Sequence, residues 1–456
     1  MDTLPLPPQP SLEQYRKRAK SLVAATKSGN EGAVRAWASE WLQSLASALD
    51  IELTPFVRGS MERAVGQIEG HVIAARALDA GNSETRETSA RNLGEPAITL
   101  ATAHHLLAAA HGFESWALFV RHLEQRASTG DALEFERAAD AVVNGDTDAL
   151  RTLLHDKRDL VRAHSTRVHH ATLLHYVAAN GVEDFRQKTP PNAVEIALLL
   201  LRSGAEPDAL ADTYGCDYYQ TTMNLLVSST HPADAGLQSK LVEALLDYGA
   251  AINGVAGDES PLFTALDFGY RDAAETLARR GARVGNVVNA AALGDLDFVQ
   301  RAVVSAVTLR PDIPLIAPPW RKLEATAKPH IELALAWACK FGRTSVAEFL
   351  IALGVDPAAM DGSDMTALHW AAATGMTSVV DELLRRGAPL EVLNAWEGTV
   401  LGSTMHFAVH DPAPGVDYVR MVERLIAAGA NVNAVWFPSG NAAIDEALRT
   451  HGARAH

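Results

Sequence analysis

Short apolar runs separated by polar turns recur along most of the chain, and the clearest example spans residues 366–394. Within it, residues 367–372 predict a short helix that ends at Gly375, and residues 377–386 predict a second helix that ends at Gly387. Glycine tolerates the positive φ that commonly ends a helix. Neither helix is long enough to bury its apolar face alone, so the unit needs copies of itself on both sides.

Further copies of this unit follow one spacing, in which a glycine comes nine residues after the start and Gly-Ala comes twenty-one after it. Three units match both glycine positions without gaps, although the unit at Leu333 has Gly354-Val355 in place of Gly-Ala. Three reach Gly-Ala late, two further units lack it and the last is truncated. We expect Leu383 and Leu384 to be buried between stacked units. The predicted starts of the nine units are Glu136, Thr172, Thr222, Ser260, Gly285, Leu333, Thr366, Ser403 and Asn441.

At residues 366–394 the sequence resembles the ankyrin-repeat family, whose pattern is Thr-Pro-Leu-His-x-Ala-Ala, a glycine, Val-x-x-Leu-Leu and Gly-Ala. Ala367 replaces the usual proline, whereas the unit at Ser260 keeps the proline and has Phe263 in place of histidine. The resemblance covers about residues 133–453. It implies an all-α solenoid of helix-turn-helix units joined by short hairpin loops.

Residues 11–127 carry apolar stripes at helical spacing without the repeat pattern and predict five helices. Ser11 with Gln14 predicts the cap of the first, and Pro55 suits the first turn of the third. Residues 80–94 are polar and predict a loop. This half resembles a helical region that precedes the repeats in some bacterial ankyrin proteins, through Ser11-Leu12-Glu13-Gln14, Arg18-Ala19-Lys20, His111-Gly112-Phe113 and Ser115-Trp116.

Two proline-rich stretches interrupt the helical pattern. Residues 1–10 predict an extended polyproline-like spacer, with a docking motif as the alternative, and residues 311–320 hold four prolines, which exclude a helix. The second stretch is either a hinge or a packed loop. The predicted division is a lead (1–10), an N-terminal helical domain (11–127), a first repeat block (133–310), a proline-rich interruption (311–329) and a second block with a C-terminal cap (330–456).

Composition narrows the class of protein. A hydrophobic content of 48% in 456 residues is too high for disorder, and no apolar run is long enough to cross a bilayer. Two cysteines exclude a disulfide framework and favour a cytoplasmic location. Residues 1–130 hold 13 Lys and Arg against 14 Asp and Glu, so nearly all of the net charge of −15 lies in the repeats. Such a surface repels nucleic acid and anionic membranes and favours a basic partner, or it only keeps the chain soluble.

Catalytic and phosphate-binding motifs are absent from the sequence, so we predict no enzyme, no cofactor and no metal site. Five histidines within residues 155–175 are numerous enough to suggest zinc, but His175 belongs to the repeat element, where the ring bonds backbone, as does His369. Cys339 aligns with Ala372 and predicts a small core residue. The alternative is an enzyme or a small-molecule or metal site in the N-terminal helices or at their junction with the repeats, built from His71, His104, His105 and His111.

Partner-binding residues are predicted at the positions just before the repeat glycine, which the resemblance places on the concave side. Large aromatic residues there, Phe268 and Phe341, suggest exposed interface anchors, although local packing is an equal alternative. Trp370 and Trp337 are expected to pack between helices. The predicted partner-binding residues are Phe268, Lys340, Phe341 and Thr374, together with Trp396 at the hairpin tip of residues 394–402 and an aromatic rim of Tyr214, Tyr218 and Tyr219.

These features together predict a cytoplasmic scaffold or adaptor that binds a partner protein on the concave face of a repeat solenoid, and the acidic charge favours a partner with a basic surface. Beside the enzyme or ligand-binding alternative, a secreted effector is the third hypothesis.

Overall fold

The computed structural model describes residues 3–7, 10–28, 30, 32–81, 97–127, 131–183, 186–214, 219–316, 321 and 323–454. The described chain is mostly helical and forms two compact units, Met1–Ala251 and Ile252–His456. The predicted all-α solenoid of paired helices is confirmed, with one short β-hairpin that the sequence did not predict. The five-part division of the chain given above stays a prediction.

The first unit begins with five helices, close to the bounds predicted from the apolar stripes. Ser11 accepts a hydrogen bond from the Gln14 amide and fixes the start of the first helix, and Pro55 is the first residue of the third. The predicted polar loop lies almost wholly outside the described residues. The helices are α1 (Leu12–Lys27), α2 (Ala33–Ala48), α3 (Pro55–Gly81), α4 (Leu100–Ala110) and α5 (Trp116–Ala127).

Phe113 and Trp116, at the break between the two helices, join α4 to α5. The Trp116 ring stacks on His104 of α4 with ring centroids 4.1 Å apart. Phe113 is buried and lies 5.2 Å from the ring of Phe119 in α5. Aromatic rings from both helices therefore close the break.

The proline-rich lead is part of the core, so the expectation of a spacer is wrong for residues 3–7. Leu4 and Leu6 are 0% and 1% exposed. The Leu4 amide donates to the Ala110 carbonyl at 2.8 Å, which ties the lead to the end of α4. Pro5 between them is buried as well, so residues 4–6 are enclosed as a whole.

Paired helices follow in the same unit. α8 packs against both α6 and α10, while α7, α9 and α12 form the second helices of the pairs. Thr222 is the first helical residue of α10, and its cap is Thr221, one residue before the predicted start. The elements are α6 (Asp131–Asn144), α7 (Thr147–Asp156), a 3-10 helix (Arg158–Arg162), α8 (Leu173–Val177), α9 (Ala193–Arg202), α10 (Thr222–Leu226), α11 (Thr230–Asp234) and α12 (Gln238–Asp247).

The second unit is a row of five helix pairs closed by a final helix. Within the row α15 packs against α13 and α17, and α19 packs against α17 and α21. Its elements are α13 (Ser260–Asp267), α14 (Arg271–Arg279), α15 (Val287–Leu293), α16 (Leu296–Ala302), β1 (Val303–Ser305), β2 (Thr308–Leu309), α17 (Ala327–Lys340), α18 (Thr344–Ala352), α19 (Ala367–Ala373), α20 (Thr377–Arg385), α21 (Val400–His410), α22 (Tyr418–Ala427) and α23 (Ala442–Thr450).

The repeat that starts at Thr366 has the predicted local structure. Gly375 and Gly387 end their helices at φ of +74° and +80°, a backbone conformation that a side chain would strain. The Thr366 amide donates to Nδ1 of His369 at 3.2 Å, so the buried ring caps the start of α19. Thr172 and His175 form the same contact at 3.1 Å, which confirms the backbone-bonding role predicted for these histidines.

In the second unit one predicted register is wrong, and one helix begins earlier than predicted. α21 begins at Val400 and is capped by Thr399, whose hydroxyl accepts from the Gly402 amide, so the predicted start at Ser403 is one helical turn late. The hairpin tip is therefore shorter than the predicted residues 394–402. α17 is also longer than predicted, because Thr326 caps it about two turns before Leu333 and Pro329 is tolerated in its first turn.

Burial confirms some core assignments and corrects others. Leu383 is fully buried, whereas Leu384 is only half-buried, so the expectation of equal burial is wrong for Leu384. Cys339 is buried as predicted, and burial raises the pKa of its thiol. In the second proline-rich stretch, the described residues 311–316 are not helical, and the Ile316 carbonyl accepts from Nε2 of His330 at 2.8 Å. Among the described residues, no helix combines the length and the apolar character needed to cross a membrane.

Candidate functional site

A single open cavity of about 740 Å³ in the second unit is lined by all five partner-binding residues that the sequence predicts there. The residues before the glycines of three repeats lie side by side in it, and the hairpin tip that carries Trp396 adds to one side. Phe268 precedes the proline-rich stretch and the others follow it, so that stretch does not separate them. We call this cavity the groove; its predicted lining residues are Phe268, Lys340, Phe341, Thr374 and Trp396.

The side chains of the groove differ in exposure. Phe268 is 53% exposed and Trp396 is 72% exposed, which are large values for aromatic residues. Phe341 is only 3% exposed, so the expectation that it is an exposed aromatic is wrong. The Arg271 guanidinium lies 5.6 Å from the centroid of the Phe341 ring and donates to the Phe341 carbonyl at 3.0 Å. Phe268 and Trp396 are thus the predicted aromatics of the groove that a partner can reach directly.

Lys340 makes contacts within the protein that fix its ammonium group. Its Nζ donates to the Asp267 carbonyl at 2.7 Å and to the Leu266 carbonyl at 3.2 Å, at the end of α13. Burial lowers the pKa of Lys340, and the carboxylates of Asp361 and Asp267 oppose that shift. The same Nζ lies 5.6 Å from the Trp337 ring centroid, 5.6 Å from that of Phe341 and 5.3 Å from that of Trp370. A cation is therefore already held by aromatic rings in this part of the structure.

Thr374 also has internal partners. Its hydroxyl lies 2.8 Å from the Trp370 carbonyl and 3.0 Å from the Cys339 carbonyl, so it links α19 to α17. Trp370 is fixed in turn, because its Nε1 donates to the Asp361 carboxylate at 2.8 Å. These bonds make the floor of the groove rigid, while its edges carry the exposed aromatics.

Next to the groove lies a second cavity of about 380 Å³, which we call the side pocket. Trp370, Trp396, Phe407 and Asp411 line both cavities, and Trp436 and His406 line the side pocket alone. The rings of Trp370 and Phe407 have centroids 6.0 Å apart at 55°. Trp436 is 41% exposed. The aromatic surface therefore continues from the groove into a smaller, ring-lined cavity.

Phe407 and Trp436 were not predicted as site residues from the sequence, although the repeat spacing contains a signal for Phe407. With Thr399 as the helix cap, Thr399-Val400-Leu401 aligns with Thr366-Ala367-Leu368, and Phe407 then falls at the position of Thr374. The mistaken start at Ser403 placed His406 at the buried position of His369, but His406 is exposed. Nothing in the repeat pattern pointed to Trp436.

The predicted aromatic rim belongs to the first unit. Tyr214 is 53% exposed and Tyr219 is 51% exposed, and Tyr218 lies outside the described residues. The Tyr214 ring packs over Gly181, where an added Cβ would lie 3.1 Å from the ring. The roles of these three residues in partner binding stay predictions.

The junction between the N-terminal helices and the first paired helices holds a buried charge cluster. Arg167 Nη2 lies 3.1 Å from Glu136 Oε2 and its Nη1 lies 3.0 Å from Glu183 Oε2, and Arg186 Nη1 bonds Glu136 Oε2 at 2.9 Å. All four side chains are at most 7% exposed. Burial opposes the charge of Arg167, but the carboxylates of Glu136 and Glu183 outweigh it and raise the pKa of Arg167.

The same cluster reaches the lead, because Arg167 Nη1 donates to the Leu4 carbonyl at 3.1 Å. Tyr176 donates to Glu183 Oε1 at 2.7 Å. Each of these charges faces an opposite charge or a hydrogen-bond partner, and the cluster is closed to solvent. Its geometry ties three segments of the first unit together.

The histidines proposed for an alternative catalytic or metal site have separate local contacts. His71 bonds the Gln67 carbonyl at 2.7 Å, and His104 stacks on Trp116. His111 is buried against the Leu4 carbonyl at 3.1 Å, and burial lowers its pKa to about 3. Within the described part of the chain, no group of three or more His, Cys, Asp or Glu side chains is arranged to hold a metal ion.

Comparison with known proteins adds one family match. Residues 335–401, which include α19 and the floor of the groove, match the model of the family described as ankyrin repeats (many copies). The crystal structure of the human ASB11 ankyrin repeat domain is similar at 19% identity and a TM-score of 0.30, covering 64% of this chain and 98% of that chain. No curated protein matches the sequence.

Proposed function

We propose that this chain, whose residues 335–401 match ankyrin repeats, binds a partner protein in the groove of its second unit, as a scaffold or adaptor without catalytic activity. Ankyrin repeats are protein-interaction modules, and stacked repeats present side chains from equivalent positions on one surface. The observation that carries the proposal is that Phe268 and Trp396, both largely exposed, line one cavity with the residues of the repeat floor.

The exposed aromatics are the energetic basis of the proposed interface. Contiguous exposed apolar surface marks interaction sites, and aromatic anchors that fill a partner's pocket dominate binding energy. The rigid floor lowers the entropy cost of binding, since Trp370, Thr374 and Lys340 are already held by internal bonds.

The charge of the repeats supports a basic partner. Residues 131–456 hold 27 Lys and Arg against 41 Asp and Glu, and this excess of acid steers a basic protein toward the surface while it disfavours nucleic acid. We propose a cytoplasmic location on the ground of the two cysteines, one of which is the buried thiol of Cys339.

Position-specific crosslinking tests this proposal. A photo-crosslinking amino acid in place of Phe268 should capture a stoichiometric partner, and the same group in place of Leu393 should not. Leu393 is also 53% exposed but lines neither the groove nor the side pocket, so it matches Phe268 in accessibility. Equal capture at both positions would refute the groove as the binding face.

A further inference from the structure

The side pocket has the composition of a site for a cationic side chain. Four aromatic rings line it, those of Trp370, Trp396, Phe407 and Trp436. The negative faces of aromatic rings attract a cation, and tryptophan does so most strongly. No lysine or arginine is among the described residues that line the pocket, so no internal cation fills it.

A carboxylate also lines the side pocket and can supply the negative charge that pairs with a bound cation. Asp411 lines both the side pocket and the groove, and it is exposed. Its backbone amide donates to the Phe407 carbonyl, which fixes the residue at the end of α21. Within the part of the chain that the structure describes, the Asp411 carboxylate forms no hydrogen bond or ion pair, so it is available to a partner.

Lys340 shows what these rings do with a positive charge. Its ammonium group lies within 5.6 Å of three ring centroids, one of them the Trp370 ring that also lines the side pocket. Lys340 uses its own backbone acceptors and lines the groove rather than the side pocket. The side pocket is thus lined by aromatic rings, as the ammonium group of Lys340 is surrounded by them, but it contains no cation from the described chain.

We propose that the side pocket receives an arginine side chain from the partner that binds the groove, with the guanidinium against the tryptophan rings and paired to Asp411. This inference rests on the proposed function. Arginine suits the site better than lysine, because a planar guanidinium stacks on aromatic faces and can pair with a carboxylate through two parallel N–H bonds. The pocket volume of about 380 Å³ also accommodates a group wider than an ammonium. The acidic balance of the repeats favours the same basic segment.

Indole N–H signals in NMR spectra test the inference. The chain has eight tryptophans, and Trp396→Phe and Trp436→Phe identify two of the signals by their loss. The probe is the capped tripeptide Ser-Arg-Ser, and its matched twin carries citrulline, the neutral isostere of arginine. We expect the Trp396 and Trp436 signals to shift, with arginine binding about threefold to tenfold more tightly than citrulline.

Asp411→Asn should remove the preference for arginine over citrulline. Glu423→Gln also removes one negative charge, from an exposed residue of α22, and should keep the preference. Equal binding of the two probes, or shifts confined to other tryptophans, or no shift up to the solubility limit of the peptide, would overturn the inference. The proposed function can be tested separately. If binding of a partner depends on Phe268 but not on Asp411, the proposed function stands and the arginine site is refuted. A partner that depends on neither removes both.

Discussion

Trp370 on α19 and Phe407 on α21 lie on neighbouring first helices of two repeats, with ring centroids 6.0 Å apart, and together they line both the groove and the side pocket. Trp370 is held by Asp361, so the pair is a fixed element of the surface. The pair joins the two cavities into one aromatic surface, and every binding residue proposed in the second unit lies on it.

The two phenylalanines of the groove should respond differently to truncation. Phe341→Ala should lower the free energy of unfolding by about 3–5 kcal/mol, because it removes a buried ring and leaves a cavity. Phe268→Ala should change it by less than about 0.5 kcal/mol, since the ring is half exposed. Urea denaturation measures both values, and similar losses for the two variants would show that Phe268 is a core residue.

The start of α21 can be tested through its cap. Thr399→Ala should destabilise the protein by about 0.5–2 kcal/mol, because the Gly402 amide loses the hydroxyl that caps the helix. Thr399→Ser keeps that hydroxyl and should lose clearly less. The difference in urea midpoint between the two variants is the readout, and identical midpoints would contradict the register that places Phe407 beside Thr374.

The buried charge cluster of the first unit should be intolerant of the loss of one member. Arg167→Met should cost about 3–5 kcal/mol of stability, because it leaves Glu136 and Glu183 buried without a main counter-charge. Arg151→Met removes an arginine that is 58% exposed and paired with Asp148, and it should change stability by less than about 1 kcal/mol. Comparable losses in chemical denaturation would mean that the cluster does not hold the first unit together.

Stability should fall as the pH drops below about 6.5, the ordinary pKa of histidine. Burial lowers the pKa of His111 to about 3 and that of His175 to about 4. The unfolded chain therefore binds more protons than the folded chain between those values and pH 6.5, and protonation pulls the equilibrium toward unfolding.

His175→Asn should reduce the number of protons taken up on unfolding by about one between pH 6 and pH 5, where few carboxylates titrate, and the slope of stability against pH should fall accordingly. Asparagine already occupies the equivalent position in the unit capped by Thr221, as Asn224. The measurement is the slope of unfolding free energy against pH for the variant and the parent. Parallel slopes would show that His175 is not neutral in the folded state.

The repeat units could be predicted from the sequence because their signals are local. The Thr366 cap, the His369 ring and the glycines at 375 and 387 each act within one turn of helix, and each lies where the spacing placed it. The same rule brought Phe268, Phe341 and Thr374 to one cavity, because equivalent positions of stacked repeats face the same way.

The failures came from features that the spacing does not encode. The burial of Leu4 depends on contacts with α4 far along the chain, and the charge cluster joins residues 4, 136, 167 and 183. Phe407 was not predicted because the helix cap lies four residues before the predicted start. A shift of four residues assigns every side chain of the helix to a different position of the repeat. The exposure of Phe341 was misjudged because Arg271, at the start of α14, lies over its ring.

The most direct test of the binding face is the affinity of the crosslinked partner for Phe268→Ala, Trp396→Ala and Leu393→Ala, measured by calorimetry beside their melting temperatures. The first two should each weaken binding by about 1–2 kcal/mol or more, with melting temperatures unchanged, as exposed interface anchors do. Leu393→Ala should bind as the parent does. Normal affinity for both aromatic variants, or a loss of equal size for Leu393→Ala, would contradict the groove as the partner-binding surface.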